Sequence, residues 1–210
     1  MEKKRNLQVG IIGGGVAGLF AAWYLAREGG DSVKVSILDR GEFGHGCSWD
    51  AAGMLAPVNE LEFQETELFH AGMASRKLYD QEVAADLGDI GLVQRGTVEI
   101  GLQADDTAYL QRLYAFQREH GQEVEWLSGE KLREREPFLS HHVTHGIWSW
   151  VDAQIEHRVL LQQLVKDCQK RGVALHPREE VLSWHPNESG QTIVSSKSGD
   201  FVFDKLLVAP

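Results

Sequence analysis

Two short apolar runs open the chain, Leu7-Gln8-Val9-Gly10-Ile11-Ile12 and Val33–Leu38, and both have the character of strands buried on two faces. Between them residues 19–28, rich in Ala and Leu, suit a helix that Gly29-Gly30-Asp31 stops. Strand, helix and strand make a βαβ unit, whose right-handed crossover lays the two strands parallel and adjacent. Residues 41–60 are glycine-rich and irregular. Apolar side chains return at helical intervals over 65–87, as Leu68, Met73, Leu78, Val83 and Leu87. Residues 90–102 alternate around Gly96 and predict a hairpin. Further helices are expected over 107–120, from the Ser128 N-cap to Pro137, and over 157–171 before Gly172. Short strands follow at 173–175, 181–184, 192–196 and 201–208.

Composition narrows the partners more than the fold. The net charge is −10, and no basic block extends beyond Lys3-Lys4-Arg5. Nucleic acid and an anionic membrane surface are therefore not expected as partners. Two cysteines, Cys47 and Cys168, stand far apart in unrelated contexts, which fits a reducing compartment and no disulfide framework. The apolar start is broken by Gly13-Gly14-Gly15, and no apolar stretch is long enough to span a bilayer. The expectation is a soluble, cytoplasmic protein. The chain ends on Leu206-Leu207-Val208-Ala209-Pro210, apolar and strand-like, so a protein continuing past this point is expected.

The chemistry sits in the first βαβ unit. Gly13-x-Gly15-x-x-Gly18 lies between strand and helix, and Asp39 closes the second strand. Gly13 permits the tight turn, Gly15 lets backbone approach a pyrophosphate, and Gly18 lets helix and strand pack closely. The helix start offers unpaired N–H groups to phosphate, and Asp39 stands where an acid accepts from ribose hydroxyls. That acid also argues against NADP, although Arg40 is adjacent. The glycines alone do not separate FAD from NAD. The stretch from Gly44 to Leu55 favours FAD, because a second loop of small residues lets backbone pass close to a second flat ring. Ser48 is a phosphate hydrogen-bonding candidate, and the amides of Ala52, Gly53 and Met54 are candidates to face the isoalloxazine. The competing reading of 41–60 is a surface loop.

These residues carry a family resemblance. The Gly13–Gly18 turn with Asp39, followed by Ser48-Trp49-x-Ala51-Ala52-Gly53-Met54-Leu55-Ala56-Pro57, resembles the start of bacterial glycine oxidases in the D-amino-acid oxidase superfamily. The likeness continues through Gly96-Thr97-Val98-Glu99-Ile100, Val124 to Gly129, Leu132-x-x-x-Glu136-Pro137 and Asp152-x-Gln154-Ile155-x-x-Arg158. It implies an α/β fold: a Rossmann-like FAD-binding domain with a parallel sheet, plus part of an α+β, mostly antiparallel substrate domain. The implied division is 1–87 and 151–210 for the FAD domain and 88–150 for the start of the substrate domain. Val16 and Ala17 would sit at the pyrophosphate, Asp39 and Arg40 at the ribose, and Cys47-Ser48 with Ala52-Gly53-Met54 at a second flavin loop. Val181 would meet the adenine edge through its backbone.

The resemblance also implies an activity. Glycine, sarcosine or small D-amino acids would be oxidised to keto acid and ammonia, with hydride passing to flavin N5 and oxygen yielding hydrogen peroxide. A place in thiamine biosynthesis comes with the same likeness. Implied partners are a small amino acid, molecular oxygen, and either a second copy of the chain or a separate carboxyl-terminal half. A dehydrogenase passing electrons to a quinone and a non-catalytic FAD-binding module are the alternatives. Two departures stand out: Pro210 where the family has a glycine, and Asp50 where it has a small neutral residue, a carboxylate expected to point to solvent.

No side chain is assigned as catalytic, since the cofactor carries the electron chemistry. His141, His142 and His145 lack an acid or cysteine partner and are expected to form a polar loop, not a metal site. Cys47 is expected to fill a tight loop, and Glu156 with His157 to cap the helix that follows. Trp126, Trp148 and Trp150 suit sheet packing, with Trp49 a candidate to flank the flavin.

Overall fold

The structure is a computed structural model that describes residues 6–61, 63 and 65–210. Its elements run β1 (Leu7–Ile12), α1 (Val16–Gly29), β2 (Val33–Leu38), β3 (Met54–Leu55), α2 (Thr66–Leu78) and α3 (Ala84–Leu87). Then come β4 (Leu92–Val93), β5 (Thr97–Gly101), α4 (Ala104–Glu119), β6 (Val124–Ser128), α5 (Gly129–Arg135) and β7 (His145–Ser149). The chain closes with β8 (Ala153–Ile155), α6 (His157–Lys170), β9 (Ala174–His176), β10 (Val181–Pro186), β11 (Thr192–Ser196), β12 (Asp200–Phe203) and β13 (Lys205–Val208).

Two compact units result, one of residues 1–52 and 156–210, the other of 53–155. The division thus falls after 52 and after 155, where the sequence suggested 87 and 150. Residues 53–87 fall in the second unit, where three of their apolar side chains join its core. Val58, Leu61 and Phe69 share a core with Leu110, Leu113, Val124 and Ile147.

The first unit is built on a parallel sheet of order β13-β1-β2-β9. Alternation along β1 decides what covers each face. A Cβ at Gly10 would collide with the Phe203 ring, whereas one at Gly18 of α1 would touch Ile11. Gly10 therefore faces the antiparallel sheet β10-β11-β12, and Ile11 faces the helical layer. On the sheet side Leu38, Val194 and Phe203 are buried together, with Ile12, Val181, Phe201 and Leu206 packed around them. On the helical side α1 packs against α6, where Trp23 Nε1 donates to Asp167 Oδ2 at 2.9 Å. Burial opposes ionisation of Asp167, but hydrogen bonds from Arg171 and Trp23 outweigh it and hold the carboxyl below its ordinary value. Cys168, buried on the next position of α6, has its thiol pushed up to about 12 by burial and by Asp167, so it is an inert packing residue.

The second unit holds two antiparallel sheets, β5-β7-β6 and β3-β8-β4. Residues 90–102 are not a hairpin: β4 pairs with β8, and β5 pairs with β7. Gly96 between them has φ +81°, and a Cβ there would collide with Ser149 O, so the chain leaves one sheet and enters the other. Likewise 201–208 is two strands. Asp204 ends β12 by donating its N–H to Gln8 O at 2.8 Å and accepting Gln8 N–H at 2.8 Å, after which β13 runs parallel to β1. Asp152 is fully buried and accepts from Val58 N (2.9 Å), Asn59 N (3.0 Å) and Thr97 Oγ1 (2.7 Å). Among the described residues no helix is long and apolar enough to cross a membrane.

Candidate functional site

The site begins where β1 ends. Gly13 has φ +106°, a left-handed conformation that side chains resist, and a Cβ there would collide with Ala209 O. A Cβ at Gly18 would collide with Gly13 O. Both glycines are therefore required by packing alone. Gly15 differs, for the nearest atom to a Cβ at that position is Ser48 Oγ at 3.1 Å. It is the N-cap of α1 with no side-chain cap, and Val16 and Ala17 beside it are exposed. The first-turn N–H groups of a helix lack intrahelical acceptors, so an open, partly positive cradle is left.

Asp39 braces this turn from the end of β2. Its Oδ2 accepts from Gly14 N at 2.6 Å and its Oδ1 from Gly41 N at 2.7 Å. Each oxygen keeps a lone pair for a further donor, which suits the hydroxyls of a ribose. Arg40 is exposed beside it. Arg178 N donates to Gly41 O (2.9 Å) and Glu179 N to Asp39 O (2.7 Å), which carries the chain past Asp39 into Val181, half-buried at the start of β10.

The second glycine loop meets the first through two hydrogen bonds. Gly44 N donates to Gly14 O at 2.7 Å, and Ser48 Oγ accepts from Val16 N at 2.9 Å. Gly44 and Gly46 both have φ +78°, and buried Gly44 lies against Leu161. A short 3₁₀ turn, Gly46–Ser48, carries exposed Cys47 and half-buried Ser48. Asp50 and Ala52 are exposed. Gly53 and Met54 belong to the second unit, where Gly53 O accepts from Ile155 N at 2.8 Å and Met54 pairs with Gln154.

The first unit thus brings together Gly13, Gly15, Val16, Gly18, Asp39 and Ser48, with Val181 on a neighbouring segment. Sequence reasoning placed Gly44 at the start of the second loop but singled out neither it nor Gly14, whose backbones join the loops; a glycine inside a glycine-rich turn is the only signal they give. A separate cavity of about 560 Å³ in this unit is lined by Phe43, His45, Trp49, Leu161, Val165 and Lys166 among others, and by none of residues 13–18. Among the described residues no group of three or more His, Cys, Asp or Glu is placed to hold a metal ion. His145 lies in β7 and stacks on Trp126 at 5.4 Å between ring centroids. Glu156 caps α6 through Arg158 N, whereas His157 reaches back to Trp49 O.

A parallel sheet with a glycine turn, an open helix N-terminus and an acid at the next strand end defines a dinucleotide-binding protein. The DAO family, FAD dependent oxidoreductases, matches residues 8–210, and the chain belongs to it, with FAD as its cofactor. It is 29% identical over 206 residues to the glycine oxidase of Geobacillus kaustophilus (strain HTA426), covering 96% of this chain and 53% of that protein. To the glycine oxidase of Bacillus subtilis (strain 168) it is 27% identical over 211 residues, covering 98% and 54%. The crystal structure of the Geobacillus kaustophilus glycine oxidase superposes with a TM-score of 0.88 at 27% identity, covering 97% of this chain and 55% of that one. The chain spans about half the length of the relatives it matches.

Proposed function

We propose that this chain supplies the FAD-binding part of an enzyme that oxidises a small amino acid, with glycine, sarcosine and small D-amino acids as the substrate class and oxygen as the acceptor. The observation that carries the reading is the joining of two glycine loops by the Gly44–Gly14 and Ser48–Val16 hydrogen bonds, beside a carboxylate with free lone pairs. The similarity to glycine oxidases supports the substrate class.

The residues present suit FAD. Gly15, Val16, Ala17 and Ser48 line the cradle proposed for the pyrophosphate, with Gly13 and Gly18 shaping it. Asp39 would take the ribose hydroxyls with Arg40 nearby, Val181 the adenine edge, and Cys47, Ala52, Gly53 and Met54 the flavin side. FAD when bound supplies the two-electron acceptor for amine oxidation. The chain's own task is to hold that cofactor through backbone donors and one carboxylate, at little conformational cost.

Purified protein should be yellow with a flavin spectrum, and should release hydrogen peroxide on adding glycine, sarcosine or D-alanine. Reduction of an artificial dye without peroxide would replace the oxidase reading with the dehydrogenase alternative. A colourless protein that gains flavin absorbance only with a second chain would favour the binding module. The place in thiamine biosynthesis rests on the family resemblance, and a deletion strain that grows without thiamine excludes it.

A further inference from the structure

We infer that the first turn of α6 positions the second cofactor loop, with His157 and Arg158 as positioning residues that act through Trp49. This rests on the reading above that Ser48 belongs to the FAD site. The Trp49 carbonyl accepts from both residues, from His157 Nε2 at 2.7 Å and from Arg158 Nε at 3.3 Å. Its indole is held on the same footing: His45 stacks on it at 4.5 Å with the planes 8° apart, and the Arg158 guanidinium lies 5.0 Å from its ring centroid. Arg158 is exposed, and its guanidinium meets Trp49 at both the carbonyl and the ring. The Trp49 backbone N–H in turn donates to Gly46 O at 2.9 Å and closes the turn that contains Ser48.

The consequence reaches the cofactor cradle. Ser48 lies between that closed turn and the fixed Trp49 carbonyl, and its Oγ meets Val16 N at the start of α1. Two positive-φ glycines, Gly44 and Gly46, precede it, so the loop has little stiffness of its own. The His157 and Arg158 contacts from α6 substitute for that missing stiffness, and pre-organised loops bind with a smaller ordering cost.

The test is FAD titration of the protein as its gene encodes it, followed by flavin fluorescence, with thermal melts of the FAD-free form alongside. His157→Ala and Arg158→Ala should each weaken FAD binding about three- to tenfold. The melting temperature of the FAD-free form should barely move, and His157→Gln, which keeps an N–H donor, should recover most of the lost affinity. Unchanged affinity in both alanine variants overturns the inference. So does a parallel loss of affinity and FAD-free stability that His157→Gln fails to rescue, which is what a merely structural role gives. A wild-type protein that binds no FAD overturns the cofactor-site reading itself, and this inference with it.

Discussion

Asp39 and Asp152 use the same device to opposite ends. Each carboxylate accepts from two backbone N–H groups, Gly14 and Gly41 in one case, Val58 and Asn59 in the other. Asp152 is fully buried and adds Thr97 Oγ1, so it is closed to any ligand and holds an irregular segment against the core of the second unit. Asp39 is half-buried at a strand end beside an open helix N-terminus, with lone pairs still available. A carboxylate on paired backbone donors is therefore not by itself a ligand site. Access, and unspent hydrogen-bonding capacity next to it, make the difference.

The contrast can be broken by mutation. Asp152→Ala strands three donors, and should lower the unfolding free energy by about 3–5 kcal/mol, read from urea titration. Gly18→Ala should cost about 2–3 kcal/mol, because the added methyl meets the Gly13 carbonyl and backbone must shift. Asp39→Ala should change stability by less than about 1 kcal/mol, as its donors can turn to water, yet weaken FAD binding about tenfold or more. Loss of stability without loss of affinity at Asp39 would erase the distinction.

Acid behaviour sharpens it further. Burial, opposed by its hydrogen-bond donors, holds the Asp152 carboxyl above its ordinary value of 3.8. A raised folded-state value means the folded chain binds the proton more tightly than the unfolded one. Stability from this group is therefore full below 3.8 and is lost as pH rises through the raised value. Asp152→Asn should accordingly gain on the wild type as pH climbs from 3.8 to the raised value, visible in urea midpoints taken at successive pH values. Glu125 has the opposite sign and the smallest effect. The Trp150 indole and Arg135 hold its carboxyl below the ordinary value, so its contribution is present above 4.5 and is lost on acidification. Glu125→Gln should lower the melting temperature at neutral pH by a few degrees at most, with the gap closing in acid.

The βαβ unit was legible because each of its strands is one uninterrupted apolar run with glycine punctuation. Leu7–Ile12 and Val33–Leu38 appear in the fold as read. The helix between them starts at Val16, earlier than the apolar pattern suggested, because Gly18 serves packing inside the first turn as well as the motif. Pairing was not legible at 90–102: alternation marks a strand without naming its neighbour, and β4 and β5 find theirs about sixty and about fifty residues on. At Asp204-Lys205 two polar residues interrupt an apolar run, and there the chain moves between sheets. In the candidate site, residue types and spacing gave Gly13, Gly15, Gly18, Asp39 and Ser48. The hydrogen bonds joining the two loops, and the hold of His157 and Arg158 on Trp49, depend on backbone groups and on residues over a hundred positions apart, which spacing does not reveal.

A crystal structure of the protein grown with FAD bears most directly on the joint role of the two loops. The account predicts phosphate oxygens at the Ala17 amide and the Ser48 hydroxyl, with a ribose hydroxyl on Asp39. Density for the cofactor away from both the 13–18 turn and the 44–48 loop would contradict it.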